Sequence, residues 1–138
     1  MTDVLTPEQR SRNMAAIRGK NTAPEMKVRR ALHAMGYRYR LHSPGLPGKP
    51  DLVFPRFNTV LFVHGCFWHM HRCPYGRCAP SSNAAFWETK RVGNTERDRR
   101  NRRALKDDGW KVFTIWECET RDAATLQKRL AALQELLR

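Results

Sequence analysis

The chain has no apolar run approaching the roughly 20 residues a membrane span needs. Its first residues, MTDVLTPEQR, lack the basic-then-apolar order of a secretion signal. A membrane partner is excluded on this reading, and an intracellular, cytoplasmic protein is expected. Cysteine is also scarce, confined to Cys66, Cys73, Cys78 and Cys118. In a reducing compartment these are metal ligands or free thiols before they are disulfides. Acid is the third scarcity: 13 Asp and Glu oppose 26 Lys and Arg, leaving a formal charge of +13 and a pI near 10.5. No internal repeat or long linker divides the 138 residues, so a single domain over 1–138 is expected.

What is present is a polyanion binder with a core. Hydrophobic residues make up 41% of the chain and sit in compact runs, which excludes a disordered basic tail. The excess charge is localised: residues 1–103 hold 20 basic and seven acidic residues, and 104–138 hold six of each. Arg outnumbers Lys 19 to 7, which favours bidentate contacts to phosphate. A globular nucleic-acid binder leads.

Hydrophobic period and capping signals predict the element order α-α-β-β-β-α-β-α, a mixed sheet flanked by helices. Thr6-Pro7-Glu8 opens a first helix at about 6–18. Thr22-Ala23-Pro24-Glu25 reads as a capping box for a second at about 23–35, closed by Gly36. Strands are expected at Tyr37–Leu41, Asp51–Phe54, Thr59–Val63 and Trp110–Trp116, the third central because it is apolar throughout. Residues 83–108 read as a helix that is nearly all polar after Trp87 and broken at Gly93. Leu126, Leu130, Leu133, Leu136 and Leu137 stripe the closing helix.

The loop at about 64–82 is aperiodic and must be ordered by something other than backbone pairing. Cys66, His71 and Cys73 fall within eight residues, and Cys118, following the last strand, can complete a closed Cys₃His zinc set. Cys78 as fourth ligand and His69 as the imidazole remain alternatives. A zinc deaminase would need His-x-Glu and Pro-Cys-x-x-Cys, and neither string occurs. Phe67 and Trp68, adjacent on this loop, cannot both face one core; they read either as a wedge between base pairs or as a satellite hydrophobic cluster.

Pro50-Asp51 heads one strand, and residues 63–64 end the next, so Asp51 and that backbone fall at the same end of neighbouring strands. Glu25 can reach them from the preceding helix. Carboxylate, backbone carbonyl and phosphate oxygens suit Mg²⁺, the logic of metal-assisted phosphodiester hydrolysis.

The strings Leu46-Pro47-Gly48-Lys49-Pro50-Asp51, Val63-His64-Gly65-Cys66-Phe67-Trp68-His69-Met70-His71-Arg72-Cys73, NTERDR at 94–99 and Gly109-Trp110 to Trp116-Glu117-Cys118 resemble the very short patch repair (Vsr) DNA mismatch endonucleases. The likeness runs from Arg10 to about residue 120. It implies a restriction-endonuclease-like fold of the PD-(D/E)xK type, with histidine chemistry in place of the usual Lys. It implies Mg²⁺-dependent nicking of double-stranded DNA, 5′ of the T in T:G pairs left by deamination of 5-methylcytosine. By position, Asp51 and the Val63 carbonyl would bind Mg²⁺, and His69 would be the base, oriented by Glu25. His64 would lie beside the scissile phosphate, supported by Asp98. Structural Zn²⁺ would take Cys66, His71, Cys73 and Cys118, leaving Cys78 free. Phe67, Trp68 and Trp87 would enter the duplex from the major groove and Met14 from the minor groove, with Lys90 and Asn94 on the mismatched pair. The family implies a bacterial, nucleoid-associated enzyme acting as a monomer, with accessory DNA repair proteins as candidate partners. Departures occur at Val63, at Met70 and Arg72, and around Cys78. The alternatives are a zinc-stabilised binder of distorted DNA without nuclease activity, and a related nuclease for another lesion.

Overall fold

Helix α1 (Ala23–Ala34) starts where Thr22 accepts the Glu25 N–H at 3.4 Å, with Pro24 in the first turn. The reciprocal half of the expected box is displaced by one residue: the Glu25 side chain takes the Asn21 N–H, at 3.2 Å. Gly36, at φ +94°, turns the chain out of the helix in a region that a side chain would strain. The computed structural model describes residues 21–73 and 84–138. The expected helix at 6–18 with Met14, and the stretch with Cys78, lie outside the described residues.

Four strands follow: β1 (Arg40–Leu41), β2 (Leu52–Phe54), β3 (Thr59–His64) and β4 (Lys111–Trp116). They lie in the order β1-β2-β3-β4, the first two pairings antiparallel and β3–β4 parallel. The first strand is shorter than the alternation at 37–41 predicts. Its aromatic residues pack helix to sheet instead: Tyr37 and Tyr39 lie against Phe54, and the Tyr39 hydroxyl donates to the Arg29 carbonyl at 3.0 Å.

Period two sorts the sheet's side chains into two layers. Leu52, Phe54, Leu61 and Ile115 face Val28 and Leu32 of α1, and Leu130, Leu133 and Leu137 of the closing segment. Val53, Val60 and Phe62 face the other way, against Leu105. As expected, β3 is central and covered on both faces. Each fully buried Leu or Phe contributes roughly 1.5–3 kcal/mol of transfer free energy.

Helix α2 (Ala84–Asp107) runs unbroken through Gly93, contrary to the expected break. A glycine there costs about 1 kcal/mol relative to Ala, and hydrogen bonds on either side of it, from Arg91 and Asn94 to the loop at 65–73, hold the helix in one piece. A short helix α3 (Glu117–Thr120) and helix α4 (Ala123–Leu136) complete the described chain. Asp122 caps α4, accepting from the Thr125 N–H at 2.9 Å. No helix among the described residues is long and apolar enough to cross a membrane.

Candidate active site and metal centre

The antiparallel pairing of Leu41 with Leu52 brings residue 42 opposite residue 51. There the His42 N–H donates to the Asp51 carbonyl at 3.1 Å. The Asp51 carboxylate turns the other way and accepts the Val63 N–H at 2.7 Å. Glu25, only 1% exposed, meets His42 Nε2 through Oε2 at 3.0 Å and the Arg29 guanidinium at 3.3 Å. Ligand-capable atoms of Glu25, His42 and Asp51 all lie within 4.8 Å of one another. Burial pushes the Asp51 carboxyl up to about 7, against the pull of the Val63 N–H and helped by the Glu25 carboxylate beside it. Two carboxyl groups crowded in this way, next to a strand-end backbone, fit a divalent cation that keeps oxygen ligands and several waters.

Parallel pairing of β3 with β4 sets His64 opposite Trp116. The His64 ring stacks on His69, with centroids 3.9 Å apart and planes 5° from parallel. Burial, then the adjacent His69, lowers His64 to about 3, so it is a neutral imidazole at physiological pH. His69 Nδ1 is hydrogen-bonded to Asp98 Oδ2 from α2. The carboxylate partners therefore differ from those the resemblance implied: Asp98 bonds His69 directly and lies beside His64 without a bond to it, while Glu25 is engaged by Asn21, Arg29 and His42 rather than by His69.

Cys66, His71, Cys73 and Cys118 converge, their ligand atoms within 4.8 Å of one another. Cys118 lies on α3, just past the strand end. His71 Nδ1 is 3.7 Å from Cys66 Sγ and 3.5 Å from Cys118 Sγ. Zinc bonds of about 2.3 Å to sulfur and 2.0–2.1 Å to nitrogen, set tetrahedrally, require a separation of about 3.5 Å. Without a cation, burial pushes the Cys66 thiol up to about 12 and raises Cys118 as well. Such a set fits a metal that expels those protons. The His71 ring stacks on Trp116 at 4.2 Å, which fixes the imidazole plane.

Phe67, Trp68 and Trp87 are brought together: Trp68 is edge-on to Phe67 at 5.2 Å and to Trp87 at 5.3 Å. Phe86 extends the group and is 54% exposed, an aromatic surface that sequence reasoning passed over. Lys90 lies over the Phe86 ring at 5.0 Å. Asn94 donates to the Trp68 carbonyl at 3.1 Å and accepts from Arg97 at the same distance. His42 and Arg91 also went unread. The signal for His42 was the hairpin register that sets it opposite Asp51; for Arg91 there was none in a helix whose face is polar.

A mixed sheet with a buried and a half-buried carboxylate at its strand ends, a carboxylate-fixed histidine and a Cys/His set able to hold a metal is an arrangement that fits one class, the nuclease domains of restriction-endonuclease-like architecture. The model of the family DNA mismatch endonuclease Vsr matches residues 2–75. The chain is 50% identical over 130 residues to the type II nicking enzyme V.XorIIP of Xanthomonas oryzae pv. oryzae, covering 94% of this chain and 95% of that one. It is 44% identical to the type II nicking enzyme V.NmeAIP of Neisseria meningitidis, covering 96% and 94%. With the DNA mismatch endonuclease Vsr of Escherichia coli it shares 41% identity, over 88% and 77% of the two chains. The chain belongs to the Vsr family of DNA mismatch endonucleases, and it is a DNA-cleaving hydrolase.

Proposed function

We propose that this enzyme nicks one strand of double-stranded DNA 5′ of the T in a T:G pair, the mismatch left by deamination of 5-methylcytosine, in a Mg²⁺-dependent reaction. The observation that carries the reading is the continuous run of contacts from Asp51 through Val63 and His64 to His69 and Asp98. It brings a half-buried carboxylate and a carboxylate-fixed imidazole to the same end of the central strand β3.

Asp51 and the Val63 carbonyl would hold Mg²⁺, with Glu25 beside them. Bound there, the ion supplies charge stabilisation at the phosphate and a more acidic water. Pro50-Asp51 supplies the opening of the PD-(D/E)xK pattern, and His69 replaces its lysine. With Nδ1–H given to Asp98, His69 presents Nε2 as the acceptor for the proton of the attacking water. His64, held neutral by burial, serves as an uncharged hydrogen-bonding group beside the scissile phosphate. His42 and Arg29 fix the Glu25 carboxylate so that it stays with the cation site and does not rotate away.

Structural Zn²⁺ on Cys66, His71, Cys73 and Cys118 ties the loop between the wedge and the sheet. Phe67, Trp68 and Trp87 enter the mismatched step from the major groove, and Met14 enters from the minor groove. Lys90 and Asn94 reach the mismatched pair; the Asn94 amide retains a second N–H and further lone pairs for it. A wobble pair is poorly stacked, so opening it costs less than opening a matched pair, and the wedge becomes part of the selection. The enzyme acts as a monomer on nucleoid DNA, with accessory repair proteins as its partners.

The test is incubation of the purified protein with T:G and C:G duplexes, with Mg²⁺ and without it. Nicking of the T:G duplex in Mg²⁺ alone is expected. Tight T:G binding without nicking would instead establish a binding module for distorted DNA.

A further inference from the structure

Arg91 is 5% exposed, on a helix where Leu105 is the only other buried residue among those described. Burying a guanidinium is expensive unless its N–H groups are bonded. Its Nε donates to the Phe67 carbonyl at 2.8 Å, and its guanidinium carbon lies 4.4 Å from the centre of the Phe67 ring. Three and seven residues along the same helix face, Asn94 donates to the Trp68 carbonyl and Asp98 bonds His69. One polar stripe of α2 thus takes hold of three consecutive loop residues, in order: 67, 68 and 69.

We propose that Arg91 is the positioning residue of the DNA wedge, fixing Phe67 so that wedge and catalytic histidine are presented by α2 as one rigid unit. The inference rests on the reading that Phe67 and Trp68 enter the duplex. A wedge must push against base stacking worth a few kcal/mol per step, and an aperiodic loop held only by its own turns would yield. Turn bonds from His69 to Gly65 and from His71 to Cys66, at 3.2 and 3.0 Å, close the loop around Phe67, but at the Phe67 carbonyl itself the Met70 N–H reaches only to 3.4 Å, the same oxygen that Arg91 holds at 2.8 Å. Arg91 lies over the Phe67 ring and Trp68 packs edge-on against it, so the ring is braced by both the helix and its neighbour on the loop. A charge-assisted hydrogen bond of this kind sets the expected loss at roughly ten- to a hundredfold.

The experiment uses the full chain and a duplex carrying 2-aminopurine beside the T:G pair, without Mg²⁺, with zinc content measured on each protein. Arg91→Met keeps the apolar stem over Phe67 and removes the donor; Arg91→Lys restores a donor without the planar fork. At saturating wild-type protein, fluorescence rises as the probe unstacks. Arg91→Met is expected to retain zinc, lose most of the rise, and lose ten- to a hundredfold of its preference for T:G over C:G; Arg91→Lys should recover part of both. A zinc-replete Arg91→Met or Arg91→Lys protein with the full wild-type rise and preference overturns the proposal. Absence of any rise with wild-type protein overturns the intercalation reading itself, and the role of Arg91 with it.

Discussion

Replacing Asp98 with Asn keeps the size of the side chain and removes the charge that fixes His69. The carboxamide can offer its NH₂ to Nδ1, which drives the ring proton onto Nε2, the nitrogen that has to accept the proton of water. Loss of a positioned general base lowers rate by about 10²–10⁴-fold, equivalent to about 3–5 kcal/mol of transition-state stabilisation. The cost in stability is much smaller. The Asp98 and His69 side chains are 21% and 23% exposed, and an ion pair that solvent reaches contributes about 1 kcal/mol or less. Single-turnover nicking of a T:G duplex by Asp98→Asn should therefore fall by two to four orders of magnitude, with half-saturation within a few fold of wild type. The mutation should add little further loss to His69→Ala, because the two residues act as a unit. A rate within threefold of wild type, or full additivity with His69→Ala, would refute the assignment of Asp98 to His69.

Asp51→Ala should abolish nicking while a gel-shift assay still detects T:G binding; retained nicking removes Asp51 from the cation site. Cys118→Ser should release zinc and lower Tm, read by metal analysis and thermal melting, because the bound metal contributes to folding. Leu133→Ala, at a fully buried position against the sheet, should cost about 2–5 kcal/mol in denaturant unfolding with catalytic geometry intact. The Thr125 hydroxyl and N–H hold the Asp122 carboxyl below its usual range. That contribution is present at neutral pH and fades as pH falls through the carboxylate range. Asp122→Ala should thus lower Tm at pH 7, by a margin that shrinks toward pH 3.

Apolar residues wrote their positions plainly. The unbroken run Thr59–Val63 required cover on both faces, and the structure sets Val60 and Phe62 against Leu105 and Leu61 against Leu133. The zinc-type set was legible because its ligand types are rare and its loop has no other means of order. The polar contacts were not. Apart from Leu105 near its C-terminal end, α2 is held by a buried arginine and a row of hydrogen bonds, which a hydrophobic period cannot register. Gly93 looked like a break because glycine propensity is local, whereas the bonds that hold the helix come from a loop some 25 residues away. The partners of Glu25 and Asp98 depend on rotamers and on the hairpin that carries His42, so position along the chain did not show that Glu25 meets His42 and Asp98 meets His69.

The central claim is strand-specific incision at a T:G mismatch, and mapping the incision tests it most directly. A T:G duplex labelled separately at each 5′ end is incubated with the protein and Mg²⁺ and resolved beside sequence markers, with the matched C:G duplex in parallel. A single nick at the phosphate 5′ of the mismatched T, with the G strand and the matched duplex intact, is the predicted result. Incision of both strands, or equal incision of matched and mismatched DNA, would contradict it.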